Sequence, residues 1–274
     1  MVCNPESGHG ALMALLYQQD NRGIAHITLD RPEVHNAFDE TLIGELRDAF
    51  LDVATNAHVR AVVLQGNGPS LCAGADIGWM KRAAEWSEVH NRADALRLSD
   101  MLAAIDGCPK PVIAIAHGNC LGGGVGLLAC ADMVVAVHGA KFGLSEVRLG
   151  LTPATISPFV LRAIGPRAAR RWFLTAERFG PEEALVMGLA TAIADCDASA
   201  RAQVEAWLAP LLAGAPGAIA DAKALIHDFA NVAITDEVRS ETATRIARRR
   251  ASAEGKEGLS AFLHKRKADW VHDA

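Results

Sequence analysis

Short apolar segments alternate with amphipathic segments along the first part of the chain. Residues 24–29 alternate between apolar and polar positions, whereas residues 59–64, 112–116 and 133–137 are almost entirely apolar and rich in β-branched side chains. Continuous apolar runs of this kind are typical of strands that are buried on both faces. The pattern therefore predicts an α/β body in which helices alternate with buried strands.

Helices are predicted where apolar residues recur at every third or fourth position. One such stripe consists of four residues: Leu42, Leu46, Phe50 and Val53. Asn36 or Asp39 can cap the helix that carries this stripe. A second helix is predicted from about residue 82 to residue 105, where it ends before two prolines, and a short third helix near residues 125–131.

The pattern changes after about residue 165, where nearly every segment is predicted to be helical. The predicted helices are 166–179, 181–188, 200–212, 218–229, 235–253 and 258–270. Several begin with a proline or with an acidic first turn, as helices commonly do. We therefore expect an α/β body at residues 13–200 and a helical C-terminal region at residues 201–274. No low-complexity linker separates them, so they are expected to pack as one unit.

Composition excludes several classes of protein. The chain has 274 residues, of which 50% are hydrophobic and 22% charged. This is too apolar for a disordered protein, and no apolar run approaches the roughly 20 residues of a membrane-spanning helix. A formal net charge of −5 argues against a protein that binds nucleic acid mainly by electrostatic attraction. We expect a globular protein that binds neither membranes nor nucleic acid.

The six cysteines form neither a CxxC pair nor a recognisable metal-ligand spacing. Four of them lie in apolar or glycine-rich segments, where a reduced cysteine behaves as a small hydrophobic residue. Residues 1–10 lack the basic and apolar segments of an export signal. We therefore predict no metal site, reduced thiols and a location in the cytoplasm.

Two loops of small residues are the first candidates for chemistry. Gly122, Gly123 and Gly124 follow the predicted strand at 112–116 and precede a helix. They either form a tight turn that needs positive φ or present bare backbone N–H groups at a helix N-terminus to a carbonyl or anionic oxygen. No Lys-Ser or Lys-Thr pair follows, so a nucleotide triphosphate loop is poorly supported.

The second loop, Cys-Ala-Gly-Ala-Asp at residues 72–76, also follows a predicted buried strand. By itself such a loop is usually a structural turn. Two such loops in one chain suggest two backbone donors that converge on one oxygen, which is how enzymes stabilise an enolate or tetrahedral oxyanion.

Four motifs occur in a characteristic order: LDRPEVHNAFD, CAGADIGWM, KPVIAIAHGNCLGGGVGLLACADMVVA and KFGLSEVRLGLTP. Across about residues 14–270 the chain resembles the enoyl-CoA hydratase/isomerase (crotonase) superfamily, and within it most closely the methylglutaconyl-CoA hydratase branch. The resemblance implies a crotonase-like α/β spiral of strand-strand-helix repeats. It also implies a helical C-terminal oligomerisation region and a homotrimer, or a hexamer formed as a dimer of trimers.

The resemblance also implies an acyl-CoA thioester as the substrate and places the residues that act on it. The thioester carbonyl oxygen would lie between the N–H groups of Ala75 and Gly123. Glu146 would be the general acid and base. Relatives usually carry a second glutamate two residues after the triple glycine, but this chain has Gly126 there. That departure argues against a water held between two glutamates.

The resemblance implies further contacts along the CoA portion. The positions are His35, Ala73, Asp76, Ile77, Phe262 and Lys265. Phe262 and Lys265 would reach the ligand of a neighbouring subunit, with Lys265 close to a phosphate, whereas His35 is equally well explained as a surface histidine at a turn. CoA is part of the substrate, so no separate cofactor is implied.

The most specific hypothesis is hydration of a 3-methylglutaconyl-CoA-type thioester in branched-chain or isoprenoid catabolism. Arg148, Lys81 and Arg82 are candidates to bind its second carboxylate, although each can also be a solvated surface charge. A Δ3,Δ2-enoyl-CoA isomerase is an alternative, because one carboxylate suffices to move a proton. An RNA-binding or scaffolding protein on the same fold is an alternative of another class.

Overall fold

The computed structural model describes residues 14–271. The strands are β1 (Leu15–Gln19), β2 (Ile24–Leu29), β3 (Ala61–Gly66), β4 (Val112–Ala116), β5 (Asn119–Leu121), β6 (Met133–Val137), β7 (Lys141–Gly143), β8 (Arg178–Phe179) and β9 (Ala192–Ala194). The helices are α1 (Glu40–Thr55), α2 (Ile77–Ala83), α3 (Glu88–Asp106), α4 (Gly123–Cys130), α5 (Ser157–Thr175), α6 (Pro181–Val186), α7 (Asp197–Ala213), α8 (Pro216–Phe229), α9 (Asp236–Ala251) and α10 (Ala253–Leu263). Short 3-10 helices occupy Pro32–Val34 and Glu146–Leu149.

The strands form two sheets. The larger has the order β1-β2-β3-β4-β6-β9 and the smaller has the order β5-β7-β8. In the larger sheet only the β1–β2 pair is antiparallel, and the other strand pairs are parallel. Strand β4 is buried along its whole length. This burial explains its uninterrupted apolar sequence, because both faces of a parallel sheet are covered.

Each face of the larger sheet packs against its own hydrophobic cluster. The larger cluster includes the apolar stripe of α1, namely Leu42, Ile43, Leu46, Phe50 and Val53. On the other face, Ile24, Val63 and Ile113 pack with α7 through Val204 and Leu208. Helix α7 crosses the predicted boundary at residues 200 and 201, so the sheet is covered partly by the helical C-terminal region.

The sequence predictions are confirmed for the main strands and for the first helix. Strands at 24–29, 112–116 and 133–137 have the predicted bounds, and the strand predicted at 59–64 lies two residues later. Helix α1 is capped by Asp39, whose carboxylate accepts the N–H of Leu42 at 2.9 Å. Asn36, the other candidate cap, is instead fully buried.

Several predicted bounds are wrong. The helix predicted at 82–105 is two helices, α2 and α3, because the Ser87 hydroxyl accepts the N–H of His90 and starts a new helix. The helix predicted at 166–179 is α5, which begins at Ser157, bends at Gly165 (φ +71°) and ends at Thr175. Arg178 and Phe179 form strand β8 with β7 instead.

The last helix also differs from its prediction at 258–270. Helix α10 starts at Ala253, where the Ser252 hydroxyl accepts the N–H of Gly255 at 3.0 Å, and ends at Leu263. The chain then runs back to Trp270, whose indole N–H donates to the carbonyl oxygen of Ala213 at 3.0 Å. The terminal segment is therefore tied to the end of α7.

Cys72, Cys108, Cys120 and Cys130 are buried free thiols, whereas Cys196 is an exposed one. Cys3, residues 1–10 and the first residue of the predicted body lie outside the described residues. Within residues 14–271, no single helix is long and apolar enough to cross a membrane, although α7 and α8, bent by 110°, meet the length and composition requirement as a pair.

Arg60 fastens the C-terminal region to the sheet. Its guanidinium donates to the carbonyl oxygens of Trp270 (3.1 Å), Leu212 (3.1 Å) and Gly214 (2.8 Å). Leu212 is in the last turn of α7, Gly214 directly follows that helix, and Trp270 lies on the returning terminal segment. One cation thus holds two parts of the helical region beside the start of β3.

We expect Arg60→Met to lower the free energy of unfolding by about 2–3 kcal/mol, because it leaves three partly buried carbonyl groups without their charged donor. Urea denaturation at fixed protein concentration measures the loss. Arg47→Met is the matched control, since within residues 14–271 the side chain of Arg47 pairs only with the neighbouring Asp48, and surface pairs of this kind contribute about 0–1 kcal/mol. Equal effects of the two substitutions would contradict a fastening role for Arg60.

Candidate active site

The two small-residue loops lie side by side. The N–H of Cys72 donates to the carbonyl oxygen of Asn119 at 3.1 Å, and the N–H of Leu121 donates to that of Cys72 at 3.0 Å. Cys72 and Cys120 are thus paired as in a parallel sheet. The loop at 72–76 therefore extends the small sheet and ends next to the turn that starts α4.

Ala75 is held from one side by the segment before α1. The N–H of Phe38 donates to the carbonyl oxygen of Gly74 at 2.7 Å, and the N–H of Asp76 donates to the carbonyl oxygen of Phe38 at 2.8 Å. These two hydrogen bonds are made by the residue before Ala75, through its carbonyl oxygen, and by the residue after it, through its N–H group. The Ala75 N–H itself makes no hydrogen bond with any other described residue, and the residue is exposed.

The triple glycine permits a very close approach between the two loops. A Cβ on Gly124 would lie 2.4 Å from the carbonyl oxygen of Cys72, and a Cβ on Gly123 would lie 2.6 Å from the Phe38 ring. Gly122 has a positive φ of 50°. Gly123 begins α4, so its N–H has no partner within the helix. The glycines thus form the tight turn that the sequence suggested, and presentation of the Gly123 amide to a ligand oxygen stays a prediction.

The small sheet places Glu146 next to the two loops. It follows β7, whose Gly143 carbonyl accepts the N–H of Gly122 at 2.9 Å. A Cβ on Gly122 would lie 3.1 Å from Glu146 Oε1 and 4.0 Å from the Cα of Gly74. The Glu146 carboxylate is therefore adjacent to Gly122, which precedes Gly123, and Gly122 in turn lies next to Gly74, which precedes Ala75.

The electrostatic environment of Glu146 differs from that of a surface carboxylate. Its Oε2 is buried and has no hydrogen-bond partner among the described residues. Burial disfavours the charged form and raises the pKa of Glu146 above the ordinary value of 4.5. Two available backbone donors beside a carboxyl group of raised pKa can stabilise an oxyanion and exchange protons with the same ligand.

Gly126 faces the protein core. A Cβ at this position would lie 2.8 Å from Cγ2 of Ile156 and 3.6 Å from a methyl group of Leu102. Ile156 is only 3% exposed and is stiff at χ1 because it is β-branched. The side-chain volume of Ile156 therefore occupies the space that a residue larger than glycine would need first.

Four of the residues predicted along CoA lie together. The N–H of Ala73 donates to the carbonyl oxygen of His35 at 3.0 Å. His35 has a left-handed backbone (φ +54°) and its Nδ1 lies 3.0 Å from the Ser70 hydroxyl. Asp76 caps α2, since its carboxylate accepts N–H groups of that helix, and Ile77 beside it is 72% exposed.

Phe262 and Lys265 lie elsewhere, at the end of α10, which packs against α8 and α9. The Phe262 side chain is 80% exposed, and Lys265 has a positive φ of 52°. Their predicted contact with a ligand in a neighbouring subunit stays a prediction.

The three candidates for binding a second carboxylate differ in their availability. Arg82 is already paired with Glu40, whose two carboxylate oxygens lie 2.9 and 2.7 Å from Nη2. The side chains of Lys81 and Arg148 form no ion pair or hydrogen bond with another described residue. Arg148 lies on the same 3-10 helix as Glu146.

Sequence reasoning missed two residues that build the site, Phe38 and Arg31. Both lie within the motif LDRPEVHNAFD, so the motif marked them without indicating what they contact. Within residues 14–271, no group of three His, Cys, Asp or Glu side chains is arranged to hold a metal ion.

A family model described as enoyl-CoA hydratase/isomerase matches residues 19–273. The chain belongs to this family. An enoyl-CoA hydratase from Alternaria alternata (AFT6-1) is 37% identical over 211 residues, which cover 76% of this chain and 68% of that protein. A crotonyl-CoA hydratase from Syntrophomonas wolfei is 31% identical over 250 residues, covering 90% and 94% respectively.

Solved structures of family members confirm the fold. The crystal structure of an enoyl-CoA hydratase from Shewanella pealeana superposes with a TM-score of 0.91 at 39% identity, covering 94% of this chain and 96% of that one. The predicted crotonase-like α/β fold with C-terminal helices is therefore confirmed. None of these similarities distinguishes the methylglutaconyl-CoA hydratase branch from others in the family.

We expect Gly126→Glu to lower the free energy of unfolding by about 1–3 kcal/mol, because its Cβ overpacks the core against Ile156. Gly44→Glu is the matched control, since nothing lies within 4 Å of a Cβ on Gly44 in α1. Urea denaturation of both variants and of wild type measures the difference. If Gly126→Glu were as stable as wild type, the space beside Ile156 would have to be larger than the structure shows.

Proposed function

We propose that this protein adds water across the double bond of an α,β-unsaturated acyl-CoA. The observation that carries the proposal is the position of the Glu146 carboxyl group beside Gly122, which itself lies next to Gly74. These glycines directly precede two amides, of Gly123 and Ala75, that are available to a ligand. Names of related proteins, including the crotonyl-CoA hydratase from Syntrophomonas wolfei, support the same reaction.

In the proposed mechanism the thioester carbonyl oxygen accepts hydrogen bonds from the N–H groups of Ala75 and Gly123. Glu146 takes a proton from water while the water oxygen bonds to the β carbon, and the electron pair of the double bond moves onto the carbonyl oxygen. Glu146 then delivers a proton to the α carbon as the enolate collapses. Removing one such oxyanion donor costs about 2.7–4 kcal/mol of transition-state stabilisation in other enzymes.

This mechanism uses CoA only as part of the substrate and calls on no separate cofactor. We propose that the CoA portion lies along His35, Ala73, Asp76 and Ile77, whose backbones are joined next to Ala75. Exposed apolar side chains at the end of α10 support a subunit contact there. On this basis we propose that chains associate at this end of α10, as in the homotrimer or hexamer that the resemblance implies, with Phe262 and Lys265 contributed to a neighbour's ligand. The cytoplasm stays the compartment that we expect from the sequence.

For the acyl group we propose a 3-methylglutaconyl-type substrate with a distal carboxylate. With glycine at position 126, Glu146 has no partner carboxylate at the usual second position. The distal carboxylate of the substrate then helps to orient the water. Arg148 is the better of the available cations to hold that group, because it lies on the 3-10 helix of Glu146 and has no acidic partner among the described residues.

The isomerase alternative uses the same residues, because one carboxylate can move a proton between the α and γ carbons. Reaction in ¹⁸O-labelled water separates the two activities, since only hydration places solvent oxygen at the β carbon. The RNA-binding alternative has less support. Arg249, the middle residue of the basic run at 248–250, is already paired with Asp221 and Glu254.

We expect Glu146→Gln to lower kcat for enoyl-CoA hydration by about 10²–10⁴-fold while CoA-ester affinity is retained, because the amide keeps the shape but cannot exchange a proton. In wild type, kcat/KM falls as Glu146 becomes protonated, and the raised pKa places this acid limb above pH 4.5. Initial rates across pH for both proteins check this prediction. Near-wild-type turnover by the variant would end the catalytic assignment of Glu146.

The same substitution is expected to leave the fold at least as stable as wild type at pH 7. A raised pKa means that the folded state prefers the protonated form, so the carboxylate destabilises the fold at pH values above that pKa. Thermal unfolding at pH 7 and at pH 4 measures this effect. A lower Tm for Glu146→Gln than for wild type at pH 7 would contradict the claim that the buried carboxylate destabilises the fold.

We expect Arg148→Gln to lower kcat/KM for 3-methylglutaconyl-CoA by about 10–100-fold, because a charged hydrogen bond contributes roughly 1.5–3 kcal/mol. Hydration of crotonyl-CoA, which lacks the distal carboxylate, is expected to be slow in wild type and unchanged by the substitution. Arg82→Gln is the control, since Glu40 already holds that side chain. An equal loss of kcat/KM on both substrates, or fast crotonyl-CoA hydration by wild type, would contradict the proposal that the substrate carries a distal carboxylate.

A further inference from the structure

Phe38 contacts the segments that carry both proposed oxyanion donors. Its N–H and its carbonyl oxygen bond to Gly74 and Asp76, at 2.7 and 2.8 Å, so its backbone fixes the position of Ala75 between them. Its ring lies against the other donor, because a Cβ on Gly123 would be 2.6 Å from Cε2 and 2.7 Å from Cδ2. Phe38 therefore contacts the segment of Ala75 through its backbone and Gly123 through its ring.

The ring has little freedom to move. Phe38 is 1% exposed and belongs to the larger hydrophobic cluster. Gly123 is at the start of α4, and the rest of that helix is buried from Gly124 to Cys130. The ring is thus clamped between the segment at 36–39 and a buried helix, and a smaller side chain would let these two parts shift toward each other.

Arg31 holds the segment that carries Phe38. Its guanidinium lies 2.9 Å from the Asp39 carboxylate and 3.6 Å from the Asp76 carboxylate, and it donates to the carbonyl oxygen of Ala37 at 2.7 Å. Asp39 caps α1, and Asp76 caps α2 directly after Ala75. The side chains of Arg31, Asp39 and Asp76 are only 18–20% exposed. One cation thus joins the two helix caps on either side of Phe38.

We propose that Phe38 is a positioning residue that sets the separation of the Ala75 and Gly123 amides, and that Arg31 keeps Phe38 in register by bridging the two caps. The inference rests on the oxyanion role of these amides in the proposed function. Neither side chain is placed to react with the acyl group. Their effect is on the geometry of the hydrogen bonds that the carbonyl oxygen receives.

The test observes that carbonyl directly. Butanoyl-CoA labelled with ¹³C at the thioester carbonyl has no double bond to hydrate, so it binds without reacting. Isotope-edited infrared difference spectra report its C=O stretching frequency, which falls as hydrogen bonds to the oxygen strengthen. We expect wild type to lower the frequency relative to free ligand in water, and Phe38→Leu to lose at least half of this lowering.

Turnover provides the second readout. In Phe38→Leu, kcat for enoyl-CoA hydration is expected to fall about 10–100-fold, less than the roughly 10²–10³-fold loss on removing an entire oxyanion donor. The dissociation constant of butanoyl-CoA is expected to change by less than about threefold, since a transition-state contact affects kcat more than ground-state binding. Phe50→Leu is the matched control, because Phe50 is fully buried in the same cluster but lies within α1.

Arg31→Gln provides an independent variant if the core substitution impairs folding. It keeps the Phe38 ring but removes the bridge between Asp39 and Asp76, so a partial loss of both the frequency lowering and kcat is expected. Arg22→Gln is its control, since Arg22 also bridges two carboxylates, Asp20 and Glu205. Comparison of these two variants shows whether the effect is specific to the Arg31 bridge or follows from the loss of any bridging arginine.

Wild-type frequency and kcat in Phe38→Leu, or equal losses in Phe38→Leu and Phe50→Leu, would overturn the proposal. An unshifted carbonyl in wild type would overturn it together with the oxyanion assignment. A shifted carbonyl that Phe38→Leu weakens, in a protein that hydrates none of the enoyl-CoAs tested, would support the positioning role while rejecting hydration as the function.

Discussion

The site depends on a close approach of two backbones that are distant in sequence. At Gly124 the space normally occupied by a Cβ is taken by the carbonyl oxygen of Cys72, and hydrogen bonds from Cys72 and Leu121 hold the two segments in that position. The amides of Ala75 and Gly123 are thus placed by the fold itself, before any ligand binds. Preorganised donors of this kind need no rearrangement when charge develops on a substrate oxygen.

The same packing explains the unusual state of Glu146. The small sheet delivers its carboxyl group to a place where Oε2 is buried and lacks a partner among the described residues. An unpaired buried carboxylate opposes folding. The position of Glu146 therefore lowers the stability of the folded protein, but it suits a group that transfers protons. Active sites often retain such destabilising groups because a carboxyl group that is free of a permanent charged partner can both accept and donate a proton during the reaction.

Elements with a clear hydrophobic period could be predicted from the sequence, and the others could not. Strand β4 and helix α1 are long enough for burial to leave a pattern, whereas β5 and β8, with three and two residues, are too short for any period. The small sheet that carries Glu146 was therefore missed as structure although its motif was noticed. Helix bounds failed where a local cap such as Ser87 overrode a continuous helical pattern.

Site residues were predictable to the extent that a motif names them. Ala75, Gly123 and Glu146 were found in this way, and the structure brings their segments together. The contacts of Phe38 with Gly74, Asp76 and Gly123 depend on packing between segments far apart in the chain, which no local pattern encodes. The same holds for Gly126. The sequence shows that position 126 is a glycine, but only the folded structure shows that Ile156 packs against it.

The packing of Ile156 on Gly126 has a consequence for how this site can change over evolutionary time. A single substitution that restored a carboxylate at position 126 would meet an occupied space, and a single shortening of Ile156 would leave a void. Each change is unfavourable without the other, so the two positions are epistatically coupled. Core packing around this pair therefore opposes a carboxylate at position 126, independently of any selection on the reaction itself.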